Sequence, residues 1–154
     1  MNIVNCQLTH QQLIGDILLL VKEVECGVRK IILIKDSVSG SNRDYTKTTM
    51  PLNKETIDGN PPTMLFDNVE KSNDVSELIV NQIIATAVSN IASTNVYVVN
   101  SDNLNAKRST YSIRTIRYFV KKSKEHGNIF LFIGNDKMSK LVARLWGFDQ
   151  ARLS

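Results

Sequence analysis

Cysteine and histidine are scarce in this 154-residue chain: Cys6 and Cys26, His10 and His126 are the full complement. Two unpatterned cysteines exclude a disulfide framework and a zinc site, and read as reduced thiols buried in a cytosolic protein. The histidines lack an evident partner and suit helix ends on the surface better than catalysis. Serine- or cysteine-nucleophile motifs and a phosphate-cradling glycine loop are likewise missing. Aromatic residues make up only 6% of the chain, and Trp146 reads as a core anchor rather than a stacking platform. The longest apolar runs, at 17–21, 31–34 and 129–133, fall far short of the ~20 residues of a membrane helix. Residues 1–10 lack the basic and apolar stretches of a secretory leader, so the expected location is cytoplasmic, without a membrane partner.

What is present is an ordinary globular mix, 42% hydrophobic and 22% charged, of a length that predicts one domain over residues 1–154. The net charge is +4, and its distribution says more than its size. Lys107, Arg108, Arg114, Arg117, Lys121, Lys122 and Lys124 follow one another with no acid until Glu125. Residues 54–77 run the other way, with Glu55, Asp58, Asp67, Glu70, Asp74 and Glu77.

Along the chain, residues 2–8 alternate as a short strand, and Thr9 caps a helix over about 10–25 that ends at Gly27. Ile31 to Ile34 predict a strand, and the polar stretch 36–62 a long loop or a weakly helical excursion. Residues 72–94 admit two readings. One is a helix capped by Asn73 or Asp74; the other is a hairpin of 77–80 and 83–88 turning through Asn81-Gln82. Then come a strand at 96–99, a helix at 109–126 closed by Gly127, a strand at 129–133 and a helix at 136–146 stopped by Gly147. That alternation predicts an α/β fold with parallel neighbours.

The helix at 109–126 has Ile113, Ile116, Phe119 and Val120 on one side, with Arg114, Arg117, Lys121 and Lys124 nearly opposite. A solvated basic face is the plain reading. The functional one is an anion site, since Ser109, Thr110 and Ser112 open the helix beside Lys107 and Arg108, where free N–H groups and the helix dipole would meet a phosphate.

This order of elements resembles the general-control-related N-acetyltransferase (GNAT) superfamily, chiefly over residues 96–148. The segment 108–113 falls where that family carries its pyrophosphate loop, 117–127 resembles the end of the next helix, and 135–148 its Asn-containing segment, helix and Gly-Phe. The resemblance implies a single three-layer domain with a mixed central sheet flanked by helices, residues 77–80 and 83–88 being its second and third strands. It implies acetyl-CoA or a similar anionic ligand at a V-shaped opening between the strands at 96–100 and 129–133. Val98, Val99 and Asn135 would line it, while Lys107, Arg108, Ser109, Thr110, Tyr111, Ser112 and Ile113 would hold the pyrophosphate. Tyr111 and Ile113 stand where the family has glycine and a small residue, Ala143 where it has an acidic tyrosine, and no carboxylate lies on 96–99 to deprotonate an amine. Catalytic residues therefore stay unassigned, and any N-acetyl transfer would be impaired.

Two other readings follow from the residues themselves. The basic face of Arg114, Arg117, Lys121 and Lys124 suits nucleic acid or an acidic partner, in an interaction or assembly protein of viral or mobile-element type, with the 36–62 loop as an interface. Acids at strand exits, Asp36, Asp67, Asp102 and Asp136, suit Mg²⁺-dependent nuclease chemistry built on Asp102 and Asp136, although Asp is also a common cap.

Overall fold

A computed structural model describes residues 28–39, 42–51, 68–88 and 94–151. The elements, in chain order, are β1 (Val28–Ser39), β2 (Asn42–Pro51), β3 (Asn68–Ser72), α1 (Val75–Val88), β4 (Thr94–Asn100), a 3-10 turn (Ala106–Arg108), α2 (Ile113–Glu125), β5 (Ile129–Ile133), α3 (Lys137–Trp146) and β6 (Asp149–Gln150). The expected strand at 2–8 and helix at 10–25 lie outside the described residues.

One six-stranded mixed sheet runs in the order β3-β2-β1-β4-β5-β6. β1, β2 and β3 form an antiparallel meander, whereas β4 is parallel to β1, β5 to β4 and β6 to β5. Parallel neighbours need crossovers, and α1, α2 and α3 supply them, with α2 touching both other helices. The fold is α/β, as the alternation of the last third predicts.

One expectation is corrected, and one open alternative is decided. Residues 36–39 and 42–51 are not a loop: β1 continues through Asp36 and pairs with β2, with Asp36 opposite Tyr45 and Lys35 opposite Thr46. Polar composition hid the hairpin, because Thr46, Thr48 and Thr49 are β-branched strand formers that an antiparallel pair accommodates with little apolar content. Residues 40–41 and 52–62 of that expected loop lie outside the described residues. At 72–94 the helix is the one of the two readings that forms, as α1, so the strands that the resemblance implied at 77–80 and 83–88 are absent. Asp74 caps the helix, its backbone carbonyl accepting from the Leu78 N–H and its side chain from the Ser76 N–H. Val75, Leu78, Ile79 and Ile83 then bury one face on the sheet, and this packing overrides the modest helix propensity of β-branched residues.

The sheet is covered on both faces, which makes the fold three-layered. Ile32, Ile34, Tyr97, Val99, Phe130 and Phe132 share one core with the three helices. The alternate positions Ile31, Leu33, Val96, Val98 and Met50 are all 1% exposed or less. Tyr97 stacks on Phe130 with ring centroids 4.4 Å apart. Gly127 and Gly147 close α2 and α3 at φ 93° and 95°, the left-handed conformation that glycine adopts without strain.

Candidate functional site

The parallel strands β4 and β5 end side by side against β1, with Asn100 opposite both Lys35 and Ile133, while β1 runs on through Asp36 to Ser39. Ligands gather at such carboxyl ends in open α/β sheets. Here the segments leaving the strands bind chiefly one another. Asp36 Oδ1 accepts from the Ser101 hydroxyl at 2.7 Å, while Oδ2 accepts from the Asp102 N–H at 3.0 Å and the Asn103 amide at 3.3 Å. Asp102 Oδ1 takes the N–H groups of Asn135 (2.7 Å) and Asp136 (2.9 Å). Asp136 caps α3 through the Ser139 N–H at 2.9 Å, and the Ser139 hydroxyl accepts from the Leu104 N–H at 3.0 Å. Each carboxylate thus satisfies donors that a turn would otherwise leave unpaired. Among the described residues, no group of three or more His, Cys, Asp or Glu side chains could hold a metal ion.

The segment before α2 is similarly closed. Asn105 caps the 3-10 turn, and Lys107 and Arg108 are exposed beside it. The Thr110 N–H donates to Asp74 Oδ2 at 2.7 Å and the Thr110 hydroxyl to Glu77 at 3.1 Å. The Tyr111 N–H reaches the Ser76 hydroxyl at 3.4 Å, and Ser112 caps α2 by accepting from the Thr115 N–H. Tyr111 and Ile113 pack against the core. A carboxylate therefore holds the Thr110 N–H expected to face pyrophosphate. Burial works to raise the Asp74 pKa, but the hydrogen bonds from Ser76 and Thr110 outweigh it and hold the group below the ordinary carboxylate value.

Val98 and Val99 lie inside β4, at most 1% exposed. β4 and β5 stay paired from Val96–Ile129 to Asn100–Ile133, so this pair forms no V-shaped opening. Asn135 is exposed, with its N–H on Asp102. The structure gathers Arg108 and Ser109 with Asp74, Tyr45 and Asn103 around a polar cleft of about 130 Å³, below the roughly 300–1,000 Å³ typical of ligand and cofactor pockets. Sequence reasoning had no role for Tyr45, whose hydroxyl donates to the Asn103 carbonyl at 2.7 Å, or for Ser139. The Asp136-x-x-Ser139 spacing at a helix start was the one signal for the latter.

The basic face of α2 is assembled differently. Arg114, Arg117 and Lys121 are exposed on one stripe, and no carboxylate of the described residues pairs with any of them. Lys124 stands apart, half-buried and 3.4 Å from Asp149 of β6. Lys122 reaches Glu125 at 3.6 Å and lies 5.9 Å from the ring centroid of Tyr118, which is 57% exposed. An exposed ring flanked by cations is a second feature that sequence reasoning passed over; a tyrosine within a basic run was its signal.

No protein-family model matches the chain, and neither curated proteins nor solved structures give a match. No helix among the described residues is long and apolar enough to cross a membrane.

Proposed function

We propose that the chain is a nucleic-acid-binding α/β module whose contact surface is the outer face of α2. The observation that carries this reading is the exposed stripe of Arg114, Arg117 and Lys121, free of ion pairs among the described residues. At 1.5 Å per residue the stripe extends about 10 Å, which spans roughly three phosphates of a strand. Lys107 and Arg108 add charge before the helix, and Tyr118 offers a ring on which a base can stack. Arginine suits this surface because its fork pairs with two phosphate oxygens at once.

The competing reading is an acyl-CoA-binding, GNAT-like domain, supported by the exposed Lys107 and Arg108 next to the start of α2. It has less in its favour: Asp74 and Ser76 hold the Thr110 and Tyr111 N–H groups, and residues 77–88 are helical.

Fluorescence anisotropy with labelled single-stranded and duplex oligonucleotides across a salt series tests the proposal. With three phosphate contacts, log K should fall against log salt with a slope of about −2 for single strands and about −3 for duplex. Absence of binding at low salt, or binding indifferent to salt, overturns it. Heat on titrating acetyl-CoA, with silent oligonucleotides, would favour the rival.

A further inference from the structure

The geometry points to a second interaction surface, on α3, that docks an acidic amphipathic helix of a protein partner. It rests on observations separate from those behind nucleic-acid binding. α3 buries Ser139, Val142, Ala143 and Trp146 against the body of the protein. On its outward side Met138 is 61% exposed, Leu141 47% and Leu145 37%, three of the five large apolar side chains exposed among the described residues. At about 100° per residue these three fall within an arc of about 60°, so they form one stripe rather than scattered surface residues. Single exposed apolar residues need no explanation, but a contiguous stripe marks a place where another surface sits.

Charge selects the occupant. Lys137, Lys140 and Arg144 occupy the neighbouring arc of about 60° on the same helix. No acid lies between Lys137 and Trp146, and no carboxylate of the described residues pairs with these three cations. An apolar stripe bordered by unpaired cations complements a helix with leucine-type anchors at i, i+3 or i+4 and i+7, bordered by Glu or Asp. Nucleic acid would use the cations and leave Met138, Leu141 and Leu145 in water. A lipid surface fits less well, since a membrane-lying helix sinks a wide apolar face into the acyl boundary, whereas α3 already buries Val142, Ala143 and Trp146 and leaves only a three-residue stripe.

The probe is a labelled helical peptide of about four turns with three leucines at that spacing and glutamate beside them. Its control has serine for leucine at unchanged charge. Anisotropy should show saturable binding of the leucine peptide near 100 µM or tighter, with the serine control at least about tenfold weaker. Leu141→Glu, an exposed position whose substitution leaves the core intact, should weaken binding about tenfold or more. Lys140→Glu with Arg144→Glu should weaken it severalfold and flatten its salt dependence. Equal binding of the two peptides would reduce the surface to a general polyanion site and overturn the proposal. So would unchanged affinity in Leu141→Glu, no saturation by about 1 mM peptide, or binding to anionic vesicles with the peptide silent.

Discussion

The carboxylates around the β4 and β5 exits and the helix starts, and the basic outer face of α2, use charge in opposite ways. Asp36, Asp102, Asp136 and Asp74 each accept at least two hydrogen bonds, mostly from backbone N–H groups at turns and helix starts. Arg114, Arg117 and Lys121 engage no carboxylate among the described residues. The difference follows from what each group can do. A short carboxylate reaches the orphaned donors at the first turn of a helix, which would otherwise be costly to withdraw from water. A long cationic side chain reaches past the backbone into solvent, where its charge stays hydrated until a partner displaces the water. Acids that resemble metal ligands in the sequence thus close the structure, while the bases of α2 stay exposed to solvent.

The largest expected effect comes from forcing the acidic end apart. A Cβ on Gly134 would clash with the Ser101 carbonyl oxygen and lie 2.7 Å from the Phe132 ring. Gly134→Ala must therefore push the β4 and β5 exits apart, at a cost of about 3 kcal/mol in urea unfolding. A cost below about 0.5 kcal/mol would mean that this end yields easily, and the contrast with α2 would fail.

Next is Asp74→Ala, which removes the α1 cap and leaves the Ser76 and Thr110 N–H groups without their acceptor. It should cost about 2 kcal/mol. The same residue makes a pH prediction. Its pKa is lowered on folding, so its contribution is present above the ordinary value near 3.8 and is lost as pH falls through the lower native value. The stability gap between the parent protein and Asp74→Asn should be open at pH 6 and narrow toward pH 3. A gap constant across that range would mean that the charge of Asp74 does not matter to the fold.

Much of this was legible in the sequence, and the exceptions have physical causes. The alternation from 96 to 146 reads correctly because each buried strand is short and β-branched or aromatic, and each helix ends at a glycine forced to positive φ. The β2 strand was hidden by its polarity, and α1 was left open between helix and hairpin by its β-branched residues, whose helical state is decided by the sheet they cover rather than by local preference. Charge and periodicity placed Arg114, Arg117 and Lys121 of the basic stripe on an exposed face correctly. They could not show that Asp74, 36 residues earlier, holds the Thr110 N–H, because that contact exists only once α1 stands beside α2. Lys124 looked equivalent to Arg117 for the same reason, since only the fold brings Asp149 to it.

That last pair sets the most discriminating test, although its effect on stability is the smallest. Arg117→Ala removes an exposed, unpaired cation and should shift stability by less than about 0.5 kcal/mol. Lys124→Ala breaks a partly exposed ion pair and should cost no more than about 1 kcal/mol. On oligonucleotides the two should separate. Losing one phosphate contact lowers the salt slope by about 0.7 on single strands and 0.9 on duplex. Arg117→Ala should show that drop, whereas Lys124→Ala should not, because Asp149 already neutralises Lys124 in the free protein. Equal drops would mean that the ion pair opens on binding and that the whole basic face acts as one surface. A drop in Lys124→Ala alone would move the contact to the β6 edge of the sheet and reverse the roles assigned to engaged and unengaged charge.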